Sequence, residues 1–402
     1  MNDTENQKVY IFGAAIMAGL LIVVIDGLTN SLDNQKCLWD SCYYIAMAQN
    51  GFNSHLASPF AYRYVTPLLV YLLTHTLGVS LANGFRSIAY LGAFFQLTGV
   101  FIFTKWFTHS IKGAYVALTI TAFSLFNVKF LLFDIYRPDH LAYAFILLQS
   151  YFAMERKFIP LLITTLIASQ IREFNIIPLV AYLFAFAPGK DRRTLLKEFG
   201  FSLLGLFVAI ILPRLLISVA ENFQFADLSA DGILRVLISP LILSRDANFL
   251  YSLAAYFLPI LMIAGIEDFK SILRSFSSNT RFFLMTYISL VLLFSFIGGT
   301  DFYRFSTYLF LPQAILLGYL SQRCNNWLIA VMIAATFVFN RLWLAFPISD
   351  VGAYLDFYGA FATRFNWASA LRIAECLLFI IIGYLVRRRL SLHNFKNNLQ
   401  PE

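Results

Sequence analysis

Apolar residues fall in blocks of about 17 to 25, the length that carries a helix across a hydrocarbon core of ~30 Å. In a chain of 402 residues that is 59% hydrophobic and only 13% charged, such blocks argue against a soluble fold. The pattern predicts an all-α, polytopic integral membrane protein with about twelve transmembrane helices. Lys8 alone precedes the first block, Val9 to Ile25, and no small-x-small cleavage site follows it, so it reads as a retained span.

Further spans are expected near Phe85 to Phe107, Ala114 to Leu132, Leu141 to Phe152, Phe158 to Ser169, Asn175 to Phe186, Phe199 to Val219, Leu250 to Ile266, Phe282 to Phe296, Ser306 to Leu320, Trp327 to Leu344 and Ala368 to Val386. Val65 to Leu77 is apolar but holds only 13 residues and opens on Thr66-Pro67, so it reads as a half-buried or interfacial helix. Admitting it as a crossing would invert every later loop. With it uncrossed and the N-terminus inside, the cytoplasmic pieces collect 17 Lys and Arg against 8 Asp and Glu, leaving 13 and 14 outside. This is the asymmetry of the positive-inside rule. Both termini are then cytoplasmic, and the net charge of +8 has its source in orientation.

The chain reads as a single membrane domain, 1–402. Within it, 26–84 is the first extracytoplasmic loop with its surface helices. The stretch 85–219 completes a catalytic transmembrane module, and 220–402 supplies C-terminal helices and outer loops. The larger polar loops, Asp26 to Tyr64, Glu221 to Phe249 and Pro347 to Trp367, all fall outside. Cytoplasmic loops are short, and neither a Walker-type loop nor a Rossmann glycine fingerprint occurs, which argues against ATP-driven transport by this chain alone. Beyond Arg387, Arg388 and Arg389 no basic run exists, so no nucleic-acid partner is expected. His55, His75, His109, His140 and His393 lack metal-ligand spacing, which argues against a zinc hydrolase. Cys37 and Cys42 lie in the first outer loop, where they are either a small disulfide or two free thiols.

Residues able to do chemistry cluster at outer helix ends. Leu38, Cys42, Ile45, Ala48 and Phe52 recur at spacings of three and four, predicting an amphipathic surface helix over 38–52 with Asp40 and Tyr44 on one face. Asp40 is either the cap of that helix or a carboxylate placed to accept a proton or hold a divalent metal where headgroups meet water. Ala61-Tyr62-Arg63-Tyr64, Asp134-Ile135-Tyr136-Arg137-Pro138-Asp139-His140 and Gly299-Thr300-Asp301-Phe302-Tyr303-Arg304 each mix Arg, Asp and Tyr. Such loops serve either as interface anchors or as substrate contacts. Arg172 and Glu173 sit between two apolar stretches, where they either pair with each other or leave Arg172 to reach a phosphate. Arg372 and Glu375 read as an ordinary ion pair on one helix face.

Taken together, Asp40-Ser41-Cys42-Tyr43-Tyr44, Tyr62-Arg63-Tyr64-Val65-Thr66-Pro67-Leu68-Leu69, the stretch from Asp134 to Asp139, Arg172-Glu173, and Asp301 with Arg304 resemble the GT-C superfamily of integral membrane glycosyltransferases. That resemblance implies transfer of a sugar from a polyprenyl-phosphate carrier to a glycan or lipid-linked acceptor, outside a membrane expected to be the bacterial inner membrane. It implies Asp40 as catalytic base or metal ligand, with the second acidic residue at Asp139 or Asp134. Donor phosphate binding would fall to Arg172, Arg304, Arg137 and Arg63, and substrate contacts to Tyr44, Glu173, Asp301 and His140. A divalent metal, Mg or Mn, would find ligands in Asp40 and Asp139. One rival reading is a polysaccharide polymerase or ligase using lipid-diphosphate oligosaccharides through Arg235 and Arg245. Another is a transporter of lipid-linked sugars, which needs charges near the membrane midplane.

Overall fold

The computed structural model describes residues 3–32, 40–51, 56–187, 190–219, 221–222, 243–298, 302–347 and 367–397. The protein is all-α, about 83% helical. Among the described residues five helices are long and apolar enough to cross a membrane: Gln7–Gly27, Leu81–Thr108, Arg192–Leu216, Ser278–Phe296 and Trp367–Arg389. Each coincides with one of the expected spans. Other apolar helices, among them Ile111–Phe123, Phe158–Ala168 and Asn326–Phe339, hold 10–17 residues. At 1.5 Å per residue, a helix of that length reaches only about 15–25 Å.

Some of the shortfall comes from breaks inside continuous apolar runs. The expected span Ala114 to Leu132 stops as a helix at Phe123, where Ser124 turns extended, and resumes only in Lys129–Phe133. Within this break the backbone turns on itself, Asn127 N–H donating to the Ser124 carbonyl and Phe130 N–H to the Leu125 carbonyl, while the Asn127 side-chain amide donates to the Tyr256 hydroxyl. The expected span Leu250 to Ile266 is likewise divided, at Phe257, with Pro259 in the first turn of Leu258–Ile263.

We label the helices that frame the site α1 (Asp3–Gly27), α2 (Ser41–Asn50), α3 (Val65–Leu77), α4 (Leu81–Thr108), α5 (Ile111–Phe123), α6 (Lys129–Phe133), α7 (Asp139–Met154), α8 (Phe158–Ala168) and α9 (Ile177–Phe186). Helix α4 is central and packs on α1, α3, α5 and α7. In a membrane, helices hold together through close van der Waals contact, and small residues permit it. A Cβ added to Gly92 of α4 would stand 2.6 Å from the Cβ of His140, so the start of α7 is seated directly on α4. A Cβ on Gly113 of α5 would stand 2.4 Å from the backbone oxygen of Gly318, which cannot move aside as a side-chain end would. Gly113→Ala is therefore expected to cost about 1–3 kcal/mol through overpacking. Unfolding of the purified variant in mixed micelles measures it, and wild-type stability would contradict it.

The segment between α1 and α4 holds two helices, as its sequence suggests. Helix α3 has the expected bounds, closing at Gly78 in the left-handed region (φ 65°). Thr66, Pro67 and Val70 turn inward while Leu68, Leu72 and Leu77 stay exposed, a face suited to lipid. Helix α2 is shorter than 38–52, and its buried face carries Ser41, Tyr44, Met47 and Ala48. The Ser41–Tyr44 side therefore turns toward the protein; of the expected apolar face, Ala48 is buried, Cys42 and Ile45 are half-buried, and Leu38 and Phe52 lie outside the described residues. Cys42 is disulfide-bonded, and Cys37 lies outside the described residues. Ala57–Ser58 pairs in parallel with Glu221–Asn222, joining this loop to the chain that follows α9 and the next long helix.

Candidate active site

The ends of α2, α7 and α9 and the connections beside them gather most of the residues singled out by sequence. Asp40 occupies the N-cap position of α2, yet its side chain makes no capping hydrogen bond. Instead Arg137 grips it, with Nη2 at 2.6 Å from one carboxylate oxygen and Nη1 donating to the other at 3.1 Å. The same guanidinium donates through Nε to Asp134 at 2.6 Å, and the Ser41 hydroxyl donates to Asp134 at 2.7 Å. Two carboxylates thus share one arginine. They come from segments separated by more than ninety residues of chain.

A second pair lies deeper. Arg172 donates to both oxygens of Asp139, at 2.8 and 3.0 Å, in the two-pronged geometry that suits a guanidinium. The Tyr308 hydroxyl adds a third donor to Asp139 at 2.9 Å. Gln149, nearly three turns further along α7, donates to the Asn175 carbonyl at 3.0 Å and steadies the turn that presents Arg172.

A third group forms the wetter rim. Arg63 reaches Glu173 through Nη2 at 3.1 Å and donates through Nη1 to the Tyr44 hydroxyl at 3.2 Å. Arg214 stands 3.9 Å from Glu173, with its guanidinium over the Tyr62 ring. Exposure separates the layers: the Asp134 and Asp139 side chains are 0% exposed, whereas Glu173 and Arg214 are 32% and 34% exposed. Arg304, buried beside Phe305, is near enough for its charge to act on Asp40 and Asp139. Arg172 and Glu173, adjacent in sequence, each find their hydrogen-bonded partner elsewhere in the fold.

Electrostatics sorts the two carboxylates on Arg137. Burial alone would raise the Asp40 carboxyl, but Arg137, Arg304, Arg172 and Arg63 outweigh it and hold Asp40 below the usual carboxylate range. At Asp134 burial prevails over Arg137, with the negative charge of Asp40 adding to it, and the carboxyl is pushed up. Asp40 is accordingly the persistent anion of the pair. The raised Asp134 favours the folded chain at acid pH, and this contribution is lost as pH rises through its folded value. Asp40 behaves oppositely, its contribution being lost as pH falls through its depressed value. Asp134→Asn, which copies the protonated form, is therefore expected to match or exceed wild-type stability at neutral pH. Unfolding midpoints followed between about pH 4 and 8 test this, and a large neutral-pH loss would contradict it.

Among the described residues, five guanidinium groups, Arg63, Arg137, Arg172, Arg214 and Arg304, thus stand among four carboxylates, Asp40, Asp134, Asp139 and Glu173. Counted formally the cluster is cationic, more so when Asp134 holds a proton, and it offers forked donors to a phosphate. A metal fits less well. Among the described residues no three His, Cys, Asp or Glu side chains are gathered to hold one, and Asp40 and Asp139 are each tied to a guanidinium.

Not every expected residue joins the cluster. His140 is buried with Nε2 2.9 Å from the Leu131 carbonyl oxygen, in the contact between α7 and α4. Asp301 and Arg235 lie outside the described residues. Arg245 spreads over the rings of Phe296 and Phe302 and donates to the Phe296 carbonyl. Arg372 pairs with Glu375 at 2.5 Å as expected, and Arg341 joins them at 3.0 Å.

Sequence reading missed Ser41, Arg214 and Tyr308 as members of the site. Arg214 had a usable signal, a charge within the apolar stretch Phe199 to Val219, which must face an interface or a wet protein surface. Tyr308 had none among 21 tyrosines. Neither a protein-family model, a curated protein sequence nor a solved structure matches the chain.

Proposed function

We propose that the protein is a twelve-pass membrane glycosyltransferase that moves a sugar from a polyprenyl-phosphate carrier to a hydroxyl of a glycan or lipid-linked acceptor. It works on the outer face of a bacterial inner membrane, with both termini cytoplasmic. The observation that carries this reading is the partly exposed cluster of arginines surrounding an ionised carboxylate, Asp40. A phosphate leaving group needs fixed positive charge, and a hydroxyl nucleophile needs a base within reach.

In the proposed step the acceptor oxygen bonds to the anomeric carbon while its proton passes to Asp40. The bond from that carbon to the carrier phosphate breaks, and its electron pair leaves on polyprenyl phosphate. Arg137 and Arg63 receive the growing negative charge, with Arg304 and Arg172 contributing at longer range. While Arg137 lies against both its oxygens, Asp40 is a weak base. A donor phosphate that draws Arg137 to itself raises the proton affinity of Asp40, so the base strengthens when the donor is in place.

Asp134, raised and hydrogen-bonded to Ser41, positions Arg137 and does not meet substrate. Arg245 lies over two phenylalanine rings, which favours the transferase reading over the polymerase one. The test is transfer from radiolabelled polyprenyl-phosphate sugars by the purified protein in liposomes, beside nucleotide sugars as donors. Transfer from the lipid donors alone is expected. Transfer from nucleotide sugars, or from neither, would contradict the proposal.

A further inference from the structure

On the face of α7 turned away from the carboxylates lies a groove of about 1060 Å³ between α1, α4 and α7. That is at the upper end of the ~300–1,000 Å³ typical of sites for small organic ligands. Leu141, Ala144, Phe145, Leu148 and Tyr151 line it from α7, at the three- and four-residue spacing of one helix face. Asp139, Tyr143 and Gln149 occupy the other face, bonded to Arg172, Thr307 and Asn175. The two surfaces of α7 therefore serve different purposes.

The groove is apolar for most of its length and cationic at one end. Phe95, Ile102 and Leu148 are between 41% and 56% exposed, the exposure of side chains that meet acyl chains. At the end of α4 stand Lys105 and His109, with Trp106 beside them and Gln7 and Tyr10 of α1 opposite. Lys105 places its ammonium 5.2 Å from the Tyr10 ring centroid. Among the described residues no carboxylate is paired with it. From Asp139 to Tyr151 α7 rises ~18 Å, so the cationic mouth lies most of a membrane half-thickness or more from the carboxylate–arginine cluster.

We propose that this groove binds one anionic phospholipid, with its phosphate at Lys105 and His109 and its acyl chains along Trp106, Ile102, Leu148 and Phe95. A cationic, aromatic-lined mouth on an apolar channel is complementary to a negative headgroup carrying hydrocarbon. The carrier lipid of a sugar donor is a poorer occupant, since its phosphate would have to reach a cluster on the opposite face of α7.

Native mass spectrometry of the full chain, titrated with phosphatidylglycerol, phosphatidylcholine or undecaprenyl phosphate, tests the proposal. Phosphatidylglycerol is expected to bind about fivefold more tightly than phosphatidylcholine, the worth of one lysine beside a negative headgroup. Lys105→Ala is expected to erase that preference, and Ala144→Phe, which fills the groove from another helix, to weaken both phospholipids. Equal affinity for the two, or a preference that survives in Lys105→Ala, would overturn the headgroup assignment. Unchanged binding in Ala144→Phe would overturn the groove. Displacement of phosphatidylglycerol by lower concentrations of undecaprenyl phosphate would make the carrier the occupant.

Discussion

Asp40→Asn, present in the membrane at the wild-type level, is expected to lose sugar transfer by a factor of about a hundred to ten thousand, the usual contribution of a positioned general base. The amide keeps the shape of the carboxylate but cannot take a proton from the acceptor. It still offers one oxygen to Arg137, so the segment between α1 and α4 should stay in place. Donor binding should persist, because the arginines that meet the phosphate are untouched and one carboxylate competing for Arg137 is gone. Single-turnover transfer and donor binding, measured on the same preparation, separate the two effects. Wild-type transfer by Asp40→Asn would remove Asp40 from the chemistry.

The second large effect concerns folding. Arg172→Ala leaves Asp139 fully buried without its two-pronged partner, keeping only the Tyr308 hydroxyl among its described donors. Breaking such a pair from one side costs about 3–5 kcal/mol. Arg172→Gln combined with Asp139→Asn replaces the ion pair by a neutral hydrogen-bonded one and is expected to recover much of the loss. Tyr308→Phe removes a single donor and should cost only about 1 kcal/mol. Unfolding in mixed micelles of the three variants tests this order. If Arg172→Ala proved no worse than Tyr308→Phe, the pair would not support the bundle.

Local features of the chain were legible because local physics sets them. The segment 65–77 is a helix with the bounds its composition implies, opened by Thr66-Pro67 and closed where Gly78 adopts a left-handed backbone. The five long apolar helices each overlap an expected span, whereas Ala114 to Leu132 and Trp327 to Leu344, apolar runs longer than two of those, form helices of only 13 and 14 residues. Interruptions were less visible. Ser124 and Asn127 sit in a run hydrophobic enough to read as continuous, and the Asn127 side chain finds its partner in Tyr256, which is distant in sequence.

Within the site, residue types and helix-end positions were readable, while partners were not. Arg172 and Glu173 invite pairing with each other, but a neighbour in the chain points its side chain in another direction. The gathering of helix ends supplies Asp139 to one and Arg63 to the other. Asp40 illustrates the same limit. Its place before α2 is that of a cap, yet Arg137 arrives from another loop and claims the carboxylate. Arg137 bridges Asp40 to Asp134 while Arg172 holds Asp139, a division of partners with no trace in spacing.

Mass spectrometry of the lipid product of a transfer reaction in liposomes, quantified against glycosylated acceptor, tests the central claim most directly. One polyprenyl monophosphate should appear for each sugar transferred, with both products falling together by about a hundredfold or more in Asp40→Asn. Release of polyprenyl diphosphate would place the protein among enzymes that use lipid-diphosphate oligosaccharides, and acceptor glycosylation without any freed carrier lipid would contradict the proposed step.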